Sequence, residues 1–176
     1  MTAASLAYRA PAALPRLGAS LPSLPLLLDT NVILNALTGR GPAVLKTLLA
    51  NLSQSFVSAP VVAEVSWSRG RLDPTHPNTA KVVGLLEQVL RQIDPTKILN
   101  PTAAQWETAG ERAGAVVRAI AGEIRTFKQS AERQEMLHDA LTALVASDAG
   151  VCVVTQDRDF DLFAQLDPNL HVHFYG

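Results

Sequence analysis

The sequence predicts an α/β domain, a three-layer α/β/α sandwich around a mainly parallel central sheet. Short apolar runs such as Leu26–Leu28 and Val151–Val154 have the composition of strands buried on both faces. Other stretches carry leucines at helical spacing, as at Leu45, Leu48, Leu49 and Leu52. The two kinds of segment alternate along the chain, the pattern of parallel strands joined by covering helices. With 176 residues, 48% hydrophobic and 18% charged, the chain suits a single globular core and is too apolar for disorder.

In chain order, Leu24 to Leu28 is expected as the first strand. A short helix through Val32 to Leu37 follows, broken by Thr38-Gly39-Arg40-Gly41-Pro42. Ala43 to Leu52 is an amphipathic helix and Ser55 to Ala59 a second strand. Pro60 suits the first turn of the next helix, where its missing N–H costs nothing. Asp73-Pro74-Thr75-His76-Pro77 is a loop, Asn78 to Arg91 a helix, and Lys97 to Leu99 a short strand. Thr102 to Ile120 is a helix that Gly110 and Gly114 weaken, a cost that close helix packing would explain. A helix from Ser130 to Ser147 then leads to closing strands at Val151–Val154 and His171–Tyr175.

Fifteen basic and sixteen acidic residues leave a net charge of −1, so overall charge does not mark a nucleic-acid binder and any basic surface must be local. The single cysteine, Cys152, excludes an internal disulfide and fits a reducing, cytoplasmic setting; its apolar neighbours mark it as a buried small hydrophobe. No apolar run is long enough to span a membrane. Residues 1–23 are rich in Ala, Leu, Pro and Ser, with Arg9 and Arg16 and no acid, and their prolines disfavour a long helix. They are expected to form a flexible or partner-facing extension ahead of a domain spanning 24–176.

Four carboxylates, Asp29, Glu64, Asp139 and Asp157, are attached to apolar segments. In open α/β sheets ligands bind outside the carboxyl ends of the strands. Asp29 follows the first strand, Asp157 follows the Val151–Thr155 run, Glu64 lies one turn into the helix after the second strand, and Asp139 lies in the helix leading to the Val151 strand. All four belong at one edge. Like charges so close raise one another's pKa unless a cation compensates. With oxygen donors and no His or Cys cluster, Mg²⁺ or Mn²⁺ is favoured over Zn²⁺. Two such ions about 4 Å apart would activate a water and steady the leaving oxygen of a phosphodiester.

Taken singly, the acids have simpler readings. Asp29 suits a helix cap and Asp157 a turn. Glu64, set in Val61-Val62-Ala63-Glu64-Val65, is harder to dismiss, and an exposed Asp139 would meet repulsion from Glu135 one turn earlier.

At these residues the chain resembles the PIN-domain family, most closely its VapC-type toxin ribonucleases. The resemblance spans roughly residues 24 to 170. It rests on Leu28-Asp29-Thr30-Asn31-Val32, on Glu64 after the second strand, on His138-Asp139-Ala140, and on Thr155-Gln156-Asp157-Arg158-Asp159-Phe160. It implies a metal-dependent endoribonuclease using Mg²⁺ or Mn²⁺, with Asp29, Glu64, Asp139 and Asp157 as the acidic pocket. Asn31 and Thr155 would orient the carboxylates or the water. Asp157 is preferred to Asp159 because it is nearer the strand end, with Asp159 as a supporting member. The resemblance also implies an RNA substrate, a cognate antitoxin and a homodimer. The proline-rich start and the long Trp67–Pro101 region depart from a compact toxin.

A haloacid-type phosphatase also begins with an Asp after a strand, but needs a second Asp where this chain has Asn31. A dinucleotide site would need a Gly-rich first turn and a P-loop its Gly-Lys-Ser/Thr; neither is present. The non-enzyme rival is an inactive PIN-fold module that binds RNA or protein. Residues 112–133 hold Arg112, Arg118, Arg125, Lys128 and Arg133 against Glu123 and Glu132, a local basic excess that would meet phosphates if it faces the substrate. Trp67 and Trp106 fall at helical spacing among apolar neighbours, which predicts core packing over base stacking. His171 and His173 alternate with Val172 and Phe174, the signature of an edge strand.

Overall fold

The computed structural model of the chain describes residues 6–18, 21–121 and 130–176. Its strands are β1 (Leu26–Leu28), β2 (Val57–Ser58), β3 (Ile98–Leu99), β4 (Cys152–Thr155) and β5 (His171–Phe174). The helices are α1 (Thr30–Thr38), α2 (Val44–Ala50), α3 (Ala59–Gly70), α4 (Thr79–Gln92), α5 (Ala103–Ala121), α6 (Ser130–Ala149) and α7 (Asp159–Leu166). Every named strand pairing is parallel: Leu27 faces Val153, Val153 faces Val172, and Val57 faces Ile98. A bridge between Leu27 and Phe56 joins the two halves, backed by Phe56 N–H to Leu26 O at 2.7 Å and Leu28 N–H to Phe56 O at 3.0 Å. The strand order is therefore β3-β2-β1-β4-β5.

Because successive strand residues point to opposite faces, each central strand feeds two cores. Leu27 and Val153 join the cluster of α5, α6 and α7, whereas Leu26, Leu28, Cys152 and Val154 join that of α1 to α4. This double covering explains why β1 and β4 read as unbroken apolar runs, and it is the predicted three-layer architecture. Leu27 and Leu28 are wholly buried, each worth roughly 1.5–3 kcal/mol of apolar transfer.

Local signals set the helix ends. Asp29 accepts the Thr30 N–H and starts α1; Gly39, at φ 69°, ends it in the left-handed conformation that glycine tolerates. Ser58 caps α3, Pro60 lies in its first turn, and Ser58 Oγ also meets Thr142 Oγ1 of α6 at 2.8 Å, so the fully buried hydroxyl is satisfied.

Three expectations need correction. The sequence reading has no helix between β4 and β5, yet Asp159–Leu166 forms α7, placing Phe160, Leu162 and Phe163 in the core. Its acids break the apolar pattern: Asp161 is fully buried, its charge met by Arg9, which no short-range periodicity announces. Gly110 and Gly114 do not serve close packing among the described residues, where a Cβ at either would meet nothing within 4 Å. Ala109, Ala113 and Val116 make the buried face of α5. Finally, Trp67 and Trp106 are 64% and 47% exposed and do not pack in the core. On β5 the alternation holds: Val172 and Phe174 are buried while His171 is exposed. Cys152 is buried, and burial pushes its thiol up to about 11, as suits a packing residue. No described helix is long and apolar enough to cross a membrane.

Candidate metal centre

The strand order reverses between β1 and β4, and the carboxyl ends of these neighbours open a crevice. Asp29 leaves β1 there, and Thr155 ends β4 beside it. Asp157 and Asp159 form the turn into α7, Glu64 comes from α3, and Asp139 comes from the middle of α6. One carboxylate oxygen from each of Asp139, Asp157 and Asp159 lies within 4.8 Å of the others. Asp29, Glu64, Asp139 and Asp157 together line a cleft of about 1120 Å³. Both candidates for the fourth position, Asp157 and Asp159, thus sit beside Asp139.

Hydrogen bonds hold these groups in different ways. Asp29 accepts three hydrogen bonds: Oδ1 takes the Thr30 N–H at 2.7 Å, and Oδ2 accepts from Thr155 Oγ1 at 2.6 Å and from the Asn31 amide, which among the described residues leaves Oδ1 a free lone pair. Glu64 accepts from the Thr30 hydroxyl and meets His138 Nδ1 at 2.9 Å. Asp157 Oδ1 accepts the Asp159 N–H at 2.9 Å. Asp139 Oδ2 is buried and has no hydrogen-bond partner among the described residues.

The electrostatics follow. Burial pushes the Asp29 carboxyl up to about 7; the Thr155 and Thr30 hydrogen bonds oppose this, while Glu64 and Asp157 add to it. Asp139 is driven well above the usual carboxylate range, first by burial and then by the charges of Asp29, Asp157, Asp159 and Glu64. Burial also raises Asp157, with Asp159 adding repulsion. Buried polar atoms without partners are rare because each costs roughly 1–3 kcal/mol. The orphaned Asp139 oxygen and the mutually repelling acids fit a cation, and an all-oxygen donor set fits a hard divalent one.

Comparison with known proteins identifies the family and the fold. The model of the PIN domain family matches residues 26–166, which include all five acids. The chain belongs to the PIN domain family. No curated protein sequence matches it significantly. Among solved structures, this PIN domain resembles VapBC2 from Rickettsia felis bound to a DNA fragment from their promoter, at 17% identity and a TM-score of 0.54, covering 86% of this chain and 98% of that one. DNA-bound VapBC from Salmonella typhimurium matches at 17% identity and a TM-score of 0.55, covering 87% and 99%. FitAcB from Neisseria gonorrhoeae matches at 21% identity and 0.56, covering 84% and 96%. At these identities the likeness concerns the fold.

Three residues at or beside the cleft escaped the sequence reading as functional candidates. His138 was visible only as the neighbour of Asp139; its bond to Glu64 spans 74 positions in the chain. Tyr175 donates to Asn31 Oδ1 at 2.8 Å, and its position just past the carboxyl end of β5 was an available signal. Tyr8 donates to Asp159 Oδ1 from before the domain boundary expected at residue 24. The basic stretch fares differently. Arg112 pairs with Asp167 at 2.8 Å, Arg118 and Arg133 are exposed, and Arg125 and Lys128 lie outside the described residues.

Proposed function

We propose that the protein is a metal-dependent endoribonuclease, the toxin of a type II toxin–antitoxin pair. The observation that carries this reading is the convergence of Asp139, Asp157 and Asp159 at the β1–β4 crevice, with Asp139 Oδ2 buried and unpartnered among the described residues. Asp139, Asp157, Asp159, Asp29 and Glu64 would hold Mg²⁺ or Mn²⁺. When bound, such an ion lowers the pKa of an attacking water and offsets charge building on a phosphodiester. The chain's own contribution is placement. Thr155, Thr30 and Asn31 fix Asp29, while His138 and Thr30 fix Glu64, so the acids face the cleft without reorganising.

At the cleft mouth, exposed Trp67 with the Arg71 guanidinium 4.8 Å over its ring offers a stacking surface and a positive charge, which suits an unpaired strand. The cognate antitoxin and the homodimer are carried over from the family resemblance. A small upstream open reading frame encoding a DNA-binding protein, whose product co-purifies with this chain, is the expected observation for the antitoxin.

The nuclease is tested with single-stranded RNA, with Mg²⁺ or Mn²⁺ and with chelator. The chain is expected to cleave internally only with metal, and Asp139→Asn to lose about 100-fold or more, equivalent to about 2.7 kcal/mol of transition-state stabilisation. A folded wild-type chain that cleaves no RNA with either ion would leave the inactive binding module in its place.

A further inference from the structure

The segment preceding the family-matched region is built into the wall of the cleft. Leu6 and Leu14 are buried in the core cluster shared by α5, α6 and α7. Arg16 pairs in parallel with Phe174, Leu17 N–H reaches Phe174 O at 2.7 Å, and Phe174 N–H reaches Pro15 O at 2.8 Å. The chain thereby extends the sheet beyond β5. At its other end, Arg9 donates its backbone N–H to Asp161 Oδ2 at 2.7 Å and Nε to Oδ1 at 2.5 Å. Asp161 is fully buried, so this contact neutralises a charge that would otherwise be stranded in the core. Arg158 closes over the segment: Nη2 donates to the Arg9 carbonyl at 2.7 Å, and the guanidinium lies 5.0 Å from the centre of the Tyr8 ring.

These anchors bring the Tyr8 hydroxyl onto Asp159 Oδ1. Asp159 is one of the three carboxylates that share the 4.8 Å cluster, and it opens α7. We infer that Tyr8 is a positioning residue of the metal centre, supplied by the N-terminal segment and acting through Asp159. A carboxylate has two oxygens; with one held by the phenol, the other is available to an ion in a fixed orientation. Asp157 is treated alike, since the Asp159 N–H occupies its Oδ1. Both acids of the turn thus meet the cation with one oxygen already engaged, which removes rotamer freedom that binding would otherwise have to remove. Arg158 on the ring face and Arg9, bound to the buried Asp161, hold the phenol in place. The inference rests on the metal reading above.

The test is titration of the full chain with Mn²⁺ alone, followed by calorimetry, for wild type and Tyr8→Phe. The variant keeps the ring and its contact with Arg158 and removes only the hydroxyl. It is expected to bind Mn²⁺ about 10-fold more weakly, the usual scale for a hydrogen-bond partner of a metal ligand, with an unchanged thermal midpoint. Binding equal to wild type, or tighter binding, would overturn the positioning role, as would a lowered midpoint with unchanged affinity, which marks a purely structural tyrosine. A wild-type chain that binds no Mn²⁺ would overturn the metal centre itself, an outcome read from the first titration and separable from the effect of Tyr8.

Discussion

Thr155 Oγ1 donates to Asp29 Oδ2 at 2.6 Å, joining the carboxyl ends of β4 and β1 across the crevice. The same oxygen accepts the Asp157 N–H at 2.9 Å and the Asn31 amide at 3.0 Å. One fully buried hydroxyl therefore uses its whole hydrogen-bonding capacity, and through it Asp29, Asn31 and the turn bearing Asp157 are set relative to one another. The bond also opposes the burial that raises Asp29.

Replacing Thr155 with Val keeps the shape and removes this junction. Asp157 N–H loses its acceptor and Asp29 a donor, so a destabilisation of about 1–3 kcal/mol is expected in denaturant titrations. Mn²⁺ affinity is expected to fall by about 10-fold or more, with the pH at which binding sets in moving upward. Thr155→Ser retains the hydroxyl and should recover most of both losses. A Val variant with wild-type affinity would remove Thr155 from the site.

Stability of the metal-free chain should fall as pH rises towards neutrality. Asp29 has an ordinary pKa of 3.8 and a folded value of about 7. Between these the folded chain holds a proton that the unfolded chain has released, so unfolding becomes more favourable with rising pH until the folded group ionises. Asp139 and Asp157 are raised in the same direction. Asp167, which Arg112 and its other hydrogen-bond partners hold low against the effect of burial, contributes oppositely, but its stabilisation is lost only below the ordinary carboxylate range. Thermal melts at about pH 5.5 and about pH 8 without metal should show the lower midpoint at the higher pH. Added Mn²⁺ should stabilise more at the higher pH, because it binds ionised carboxylates. A metal-free midpoint that climbs over this interval contradicts the assignment.

Much of this was legible in the chain because strand and helix periods are local properties. Leu26–Leu28 and Val151–Thr155 announced the central strands, and strand-end geometry then gathered Asp29, Glu64, Asp139 and Asp157 at one edge. What escaped depends on contacts distant in sequence. Asp161 reads as a surface acid until Arg9 is seen beside it, and α7 was hidden because a buried acid interrupts its apolar face. Tyr8 lies 151 residues from Asp159 in a segment whose prolines disfavour a long helix and which reads as a flexible extension. Trp67 misled in the opposite direction: helical spacing places a residue on a face but does not say whether that face is covered.

Trp67 offers a separate handle on substrate. It is 64% exposed on the cleft mouth, so Trp67→Ala should leave the thermal midpoint unchanged. Stacking of a base on an aromatic ring is worth about 1–3 kcal/mol, so binding of single-stranded RNA is expected to weaken about 10-fold, while affinity for duplex RNA stays the same. Fluorescence anisotropy with labelled strands measures both. Equal losses for the two RNAs would assign Trp67 to general contact and not to stacking on an unpaired base.

Gly114 provides a stability test independent of the cleft. It lies in the interior of α5, in a helix whose buried face is made by Ala109, Ala113 and Val116. A Cβ there would meet no atom of the described residues within 4 Å, so Gly114→Ala adds no clash and fills no void among them. What changes is the backbone: glycine loses more conformational freedom on entering a helix than alanine does. The substitution is expected to stabilise the fold by about 0.5–1 kcal/mol, raising the thermal midpoint with unchanged Mn²⁺ binding. Gly110→Ala should do the same, and the two gains should add unless the residues share a partner. A destabilised Gly114→Ala would show that a neighbouring surface approaches α5 closely at this position, and would restore the packing role that its spacing first suggested.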